Sequence, residues 1–245
     1  MTELYLSRAV LNADFETLGP ILFPNDPAHK MAIAHRLVWT LFPSDLRERP
    51  FLYREMAPSH AMGRAARGDI FILSGIEPRD ERGLFRLETK PFRPVLAIGD
   101  RLQFSLRANP TVQRSELVDG KRKTRRFDVV MHALHNVPKP ERAPNRARLV
   151  RETGLAWLAG QGERAGFRLP VTEAIRIDGY EQFDADPENR RPRGESRHRP
   201  GHSRLDFEGI LEVTDPALLI DSIGRGFGRA RAFGHGLMLI RRAAP

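Results

Sequence analysis

The sequence contains no cysteine. That excludes disulfides and thiolate metal sites, and it fits a reducing compartment. No apolar run approaches the ~18 residues of a membrane span, and the first residues lack the layered layout of a signal peptide. The expectation is a cytoplasmic protein with no membrane partner. A P-loop, G-x-x-x-x-G-K-[ST], is also missing, and Gly224-Arg-Gly226-Phe-Gly228 is not the dinucleotide fingerprint G-x-G-x-x-G. Nor does that glycine run sit between a first strand and a helix, so no nucleotide cofactor is expected. A strand with an RNP1-like run of aromatics is absent too, which argues against a general RRM-type RNA chaperone. Histidine pairs do occur, as His132-x-x-His135 and His198-x-x-x-His202. The first reads as strand or turn, where positions three apart do not share a face. The second lies among arginines, which repel a cation. No metal site is expected.

Positive charge is what the chain has in excess. Its 40 Lys and Arg against 31 Asp and Glu leave a formal charge of +9, a balance that favours a polyanionic partner. At 245 residues there is room for one large domain or two of roughly a hundred residues each.

The charge is concentrated in three places. Near the C-terminus, Asp215-Pro216 starts a short helix with Asp as N-cap and Pro in the first turn. Gly224 stops it, and Gly226, Gly228, Gly234 and Gly236 follow with Arg225, Arg229 and Arg231 interleaved. Glycine lets another backbone come close, and guanidiniums fork onto phosphate oxygens. The loop reads as a clamp for a nucleic-acid backbone; a plain connection is the alternative for such a loop taken alone. The second place is Lys121-Arg122-Lys123-Thr-Arg125-Arg126, on a basic linker or hairpin over residues 111–126. The third is 184–204, which carries Arg190, Arg191, Arg193, Arg197, Arg199 and Arg204 with almost no apolar residue. It is either a surface loop without fixed structure or a basic finger that orders against a duplex.

Strands are expected at 4–11, 51–56, 70–74, 83–90 and 101–107, with an amphipathic helix over 28–42 that Pro43 ends. Met31, Ala34, Val38, Leu41 and Phe42 form the helix's apolar stripe, and His35 lies beside it, facing a cleft. Residues 127–131 open a second unit. A helix at 145–158, with Leu149, Thr153, Ala156 and Trp157 inward, is closed by Gly160 and Gly162. Strands at 169–177 and 205–213, the short helix and a final strand at 237–240 follow. Both halves thus run β-α-β-β-α-β, the second helix of the first half being short or eroded. Trp39 and Trp157 read as packing residues.

An ordered set of motifs gives this pattern a family. The chain resembles CasE, the endoribonuclease that cuts CRISPR repeat transcripts in type I-E systems and stays in the Cascade complex. The resemblance rests on Leu4-Tyr-Leu-Ser-Arg8, His35-Arg-x-x-Trp39-x-x-Phe42-Pro43 and Phe104-x-Leu-Arg107-Ala-Asn-Pro110. Ala156-Trp157-Leu158, Gly166-Phe-Arg-Leu169, Phe207-Glu-Gly-x-Leu-x-Val213, Asp215-Pro216 and the loop into Gly234-x-Gly236-Leu237 complete it.

It implies an α+β fold of two tandem ferredoxin-like (RRM-like) domains with a basic hairpin insertion and a C-terminal glycine-rich loop. The divisions expected are 1–112 for the first domain, 113–140 for a basic linker and the start of the second, and 141–245 for the rest. His35 falls on the family's catalytic histidine and Arg36 on a basic residue of its relatives. The family's tyrosine one turn earlier is Ala32 here, which leaves the histidine's helper unassigned. Arg107, the basic runs and the glycine–arginine loop are the expected RNA contacts. The partners implied are CRISPR repeat or guide RNA and other Cascade subunits. The activity implied is metal-independent cleavage by 2′-OH attack; the alternative is a non-catalytic RNA-binding subunit of the same assembly.

Overall fold

The computed structural model describes residues 3–12, 27–56, 69–118, 121–183 and 201–243. The chain divides into two compact units. One contains the chain up to residue 95 together with 230–237; the other contains 96–182, 202–229 and the chain from 238 on.

The first unit carries β1 (Tyr5–Leu11), helix α1 (Pro27–Trp39), β2 (Phe51–Glu55), β3 (Ile70–Ser74) and β4 (Phe85–Pro91). The strands form one antiparallel sheet in the order β2-β3-β1-β4. Tyr53 lies opposite Ile72 in the β2–β3 register, and Arg8 lies opposite Phe71 in β1–β3. Ala34 and Val38, four apart on α1, are both fully buried against the sheet among Ala9, Phe51, Tyr53 and Ile72. The helix closes with Thr40, Leu41 and Phe42 N–H each donating to the carbonyl three residues back, at 3.1 Å, the tightened last turn common at helix ends. Pro43 follows and has no N–H to continue the ladder. No helix forms among residues 75–84; instead the Asp80 carboxylate accepts from Leu84 N at 3.1 Å and Phe85 N at 2.6 Å, fixing the entry to β4.

The second unit begins with β5 (Arg101–Ala108), a hairpin of β6 (Thr111–Val118) and β7 (Lys121–Asp128), and helices α2 (Val129–His135) and α3 (Arg142–Ala165). Then come β8 (Phe167–Arg168), β9 (Arg176–Phe183), β10 (His202–Val213), α4 (Pro216–Arg225) and β11 (Met238–Arg242). Its sheet has the order β11-β5-β10-β8, with β9 also pairing β10.

Several expectations are corrected here. Residues 101–107, read as closing the first unit, form the strand between β10 and β11, with Leu106 opposite Phe207 and Phe104 opposite Ile240. Period-two alternation reveals a strand but not its partner. The expected strand at 127–131 is instead the end of β7 and the start of α2. There the Asp128 carboxylate accepts from Met131 N at 2.7 Å as the helix's N-cap. Helix α3 passes through Gly160 and Gly162 and ends at Gly166, which adopts a left-handed φ of 75°, the usual glycine stop. Gly162 is small because a Cβ there would lie 2.6 Å from the Phe167 carbonyl oxygen. Gly154 is buried in that helix and Ala156 is exposed, against expectation. The strand expected at 169–177 is interrupted by a 3-10 turn, Thr172–Ala174, where Arg151 of α3 binds the carbonyls of Thr172 at 3.3 Å and Glu173 at 3.1 Å. Helix α4 starts as the sequence implies, Asp215 accepting from Leu218 N at 3.0 Å, but runs through Gly224 to Arg225.

Candidate functional site

His35 sits on α1 between the buried Ala34 and the exposed Arg36, so its imidazole is half-buried at the edge of the helix–sheet seam. Phe51 and Tyr53, two apart on β2, share the face that meets it. The imidazole lies 6.1 Å from the Tyr53 ring at an interplanar angle of 25°, and 6.0 Å from Phe51 at 52°. One helical turn on, where side chains four apart meet, the Trp39 indole Nε1–H donates to His35 Nε2 at 3.2 Å. An acceptor at Nε2 places the proton of the neutral ring on Nδ1. Burial, and then the positive charge of Arg49, hold the His35 pKa below its usual value. The imidazole is therefore neutral near pH 7.

Arg49 precedes β2, with its guanidinium 5.8 Å from the centre of the Phe51 ring, within cation–π reach. Its Nε is buried without a hydrogen-bond partner. Burial, then Arg231, weaken its hold on the proton, and Tyr53 offsets this in part. Arg231 belongs to the 3-10 turn Arg231–Phe233, part of the same compact unit as α1. Tyr53, 1% exposed, donates its hydroxyl to the Ala232 carbonyl at 3.0 Å, and burial pushes its pKa up. Gly234 has φ of 75°, and a Cβ there would lie 3.3 Å from the Tyr53 ring, so glycine alone fits without strain. The end of the glycine–arginine loop is thus laid over the tyrosine that faces His35. Residues 231–233 also meet α1.

The remaining expected contacts divide. Arg122, Arg125 and Arg126 are exposed on β7, with Arg125 opposite Arg114 in the hairpin register. The side chains of Lys121 and Lys123 lie outside the described residues. So do Arg190, Arg191, Arg193, Arg197 and Arg199, and with them the proposed finger. Arg229 is exposed and bridges Asn109, while a Cβ at Gly228 would lie 2.8 Å from the Asn109 carbonyl oxygen. Gly226 ends α4 and Gly236 also has a positive φ of 92°. Three other arginines engage carboxylates: Arg107 with Asp206 at 2.8 Å, Arg204 with Glu181 at 2.9 Å and Arg225 with Asp221 at 2.8 Å. His132 and His135 lie on a helix, where positions three apart do share a face, contrary to expectation. Among the described residues no group of three or more His, Cys, Asp or Glu is placed to hold a metal.

Sequence reasoning missed Arg49 and Tyr53 and assigned Trp39 to packing alone. Nothing in residues 49–53 marks them; the alternation Phe51-x-Tyr53 was the available signal, and it read simply as a strand.

Antiparallel sheets with helices on the chain's connections define a mixed helix-and-sheet protein, with a half-buried histidine among aromatic rings on one of its helices. The chain belongs to the CRISPR-associated protein family, whose model matches residues 4–242. It is 30% identical over 157 residues to the CRISPR-associated endoribonuclease Cse3 of Thermus thermophilus. That alignment covers 62% of this chain and 60% of the relative, less than two thirds of its length. A structure of CRISPR endoribonuclease Cse3 bound to a 19-nt RNA is similar at TM-score 0.60 and 25% identity, over 97% of this chain and 99% of that one. Cas6e from Escherichia coli str. K-12 shares the fold at TM-score 0.51 and 21% identity, over 98% of this chain and 100% of that one. No helix among the described residues is long and apolar enough to cross a membrane.

Proposed function

We propose that this chain is an endoribonuclease that binds the CRISPR repeat hairpin and cuts precursor CRISPR RNA into guide RNAs, remaining bound as a Cascade subunit in the cytoplasm. The observation that carries the reading is His35: half-buried, neutral, and flanked by Arg36 and Arg49 in a family whose relatives are named endoribonucleases. We read the two units as ferredoxin-like domains divided near residue 95, because both sheets have the strand order 4-1-3-2 when each unit's principal strands are counted in turn. The exposed arginines of β7 and Arg229 are the phosphate contacts the reading uses. Arg107, Arg204 and Arg225, engaged with carboxylates, support architecture at least as well.

The chemistry follows from a neutral imidazole. The RNA 2′-OH attacks the adjacent phosphate while its proton passes to Nε2 of His35. The 2′-O–P bond forms, the P–O5′ bond breaks and the 5′-oxygen takes up a proton. The products are a 2′,3′-cyclic phosphate and a 5′-OH, and no metal takes part. Acid–base assistance of this kind supplies about 10²–10⁴-fold. Guanidiniums stabilise the charge that builds on the phosphorane oxygens.

One observation favours a second reading, a non-catalytic RNA-binding subunit: position 32 is alanine where the resemblance calls for tyrosine. Cleavage of a cognate repeat RNA in EDTA separates the two. The endoribonuclease reading expects cutting by the unmodified protein, none of a substrate with a 2′-deoxy at the scissile nucleotide, and His35→Ala slowed by about two to four orders of magnitude with binding within a few-fold. Full-rate cutting by His35→Ala removes the site assignment, and cutting of the deoxy substrate removes the mechanism.

A further inference from the structure

We propose that Asp128 is the positioning residue of the basic hairpin β6–β7. Its carboxylate ties the root of that arm to β9 and β10, and so fixes the direction in which Arg114, Arg122, Arg125 and Arg126 are presented to a polyanion. The tie rests on geometry alone; that the polyanion is RNA rests on the endoribonuclease reading.

The hairpin is a two-stranded sheet of its own, paired with neither larger sheet among the described residues. It leaves the unit after the buried Pro110 and returns at Asp128, which lies opposite Thr111, while Val129 N–H donates to the Pro110 carbonyl at 3.2 Å. Between Gln113 and Arg126 every described side chain is exposed, so packing along its length does not set its direction. A lone two-stranded hairpin is marginal in water. Here Arg125 also lies opposite Arg114, and like charges directly across a ladder weaken it. The direction has to be set at the root.

At that root one carboxylate meets three elements. Asp128 accepts from Met131 N at 2.7 Å in α2, from the Tyr180 hydroxyl of β9 at 2.8 Å, and from the Ser203 hydroxyl at the start of β10. Ser203 is 2% exposed. A fourth element joins through Arg146 of α3, whose guanidinium lies 5.3 Å from the centre of the Tyr180 ring. Burial, and then the charge of Asp128, push the Tyr180 pKa up, which keeps its hydroxyl protonated and donating.

The plain alternative is a helix cap and nothing more. A cap needs one side-chain oxygen, and serine or threonine supplies it as well. A carboxylate accepts at both oxygens and has no donor of its own. Capping accounts for Met131 and gives no reason for two hydroxyls from distant strands to converge on the same group.

The chain's lack of cysteine allows two spin labels to be placed at chosen positions. Leu117→Cys on the arm and Glu163→Cys on α3, both exposed, serve as sites, and dipolar electron spin resonance reads the distance between them. One narrow distance distribution is expected. Tyr180→Phe combined with Ser203→Ala leaves the cap intact and should broaden it, and Asp128→Ser, which keeps a capping oxygen, should do the same. A repeat-hairpin RNA should bind the double variant about three- to tenfold more weakly, because part of the binding free energy then goes into ordering the arm. Cleavage at saturating RNA should keep its rate. A purely structural role lowers the melting temperature and leaves the distances as they were, and that result overturns the proposal. RNA affinity that is unchanged when the distribution has broadened overturns it too. If the double variant does not fold, Tyr180→Phe and Ser203→Ala decide singly, and an unchanged distribution in both is fatal to the tie. A broadened distribution in a chain whose unmodified form binds no repeat RNA upholds the tie and defeats the RNA reading, so the two failures are distinguishable.

Discussion

The Trp39 indole donates its N–H to Nε2 of His35 at 3.2 Å, from one turn further along the same helix. A hydrogen bond that needs the neutral imidazole opposes protonation, so Trp39 acts in the same direction as burial and Arg49. It also occupies the lone pair that, in the proposed mechanism, receives the 2′-OH proton, so that mechanism requires the RNA hydroxyl to displace the indole. Trp39 is thereby a positioning residue for His35 as well as part of the hydrophobic seam.

Trp39→Phe keeps most of the ring and removes the donor. The neutral form loses about 0.5–1.5 kcal/mol of support, so the His35 pKa should rise toward the usual histidine value. The acidic limb of the cleavage pH profile should move up with it. NMR titration of the imidazole reads this directly, and an unmoved pKa would show that the contact only packs.

Tyr53→Phe removes the hydroxyl that holds Ala232, at a cost of about 1 kcal/mol. The loss should be local: amides of 230–237 should exchange faster while those of β1 and β3 keep their protection. Gly234→Val should do more. It forces a β-branched residue into φ of 75° with the Tyr53 ring 3.3 Å away, a backbone region such side chains avoid. RNA binding is expected to fall more than thermal stability. A variant that simply unfolds would make the loop a structural element and nothing else.

Acid should destabilise the fold through two half-buried histidines. Burial depresses His202 from 6.5 to about 4, and His35 is depressed as well. Both are neutral when folded, while the unfolded chain charges them as pH falls through about 6.5. Below that value the unfolded state binds more protons, so stability falls with decreasing pH until the folded pKa is passed. Denaturant unfolding at pH 7.5, 6 and 5 should show a steady loss, and His202→Gln should flatten it. A stability that is level from pH 7.5 to 5 contradicts the placement of both rings.

The elements of this fold were legible wherever a local pattern decides them. The stripe of Ala34 and Val38, the Asp215-Pro216 cap and the alternation of Leu102, Phe104 and Leu106 each sit where the sequence implied. Partnership was not legible. Nothing within 101–107 says that β10 and β11, far along the chain, will flank it. The same limit hid the site. His35 and the glycine–arginine loop stood out by composition and motif, whereas Arg49 and Tyr53 matter only because the fold brings residues 231–234 over them. Glycine was equally ambiguous: Gly160 and Gly162 look like helix stops, and only Phe167 beside Gly162 shows that its role is clearance.

The Tyr53–Ala232 contact joins residues 179 positions apart. During synthesis, β1, α1 and β2 leave the ribosome long before the segment that covers Tyr53 exists. At about 5–20 residues per second, the wait is roughly 10–35 seconds. Through that interval the nascent chain presents His35 without Arg231 or the strap at 230–234. The histidine's surroundings are therefore finished only after residues 230–234 have been made. A stalled or truncated product would carry the histidine and none of its completed surroundings.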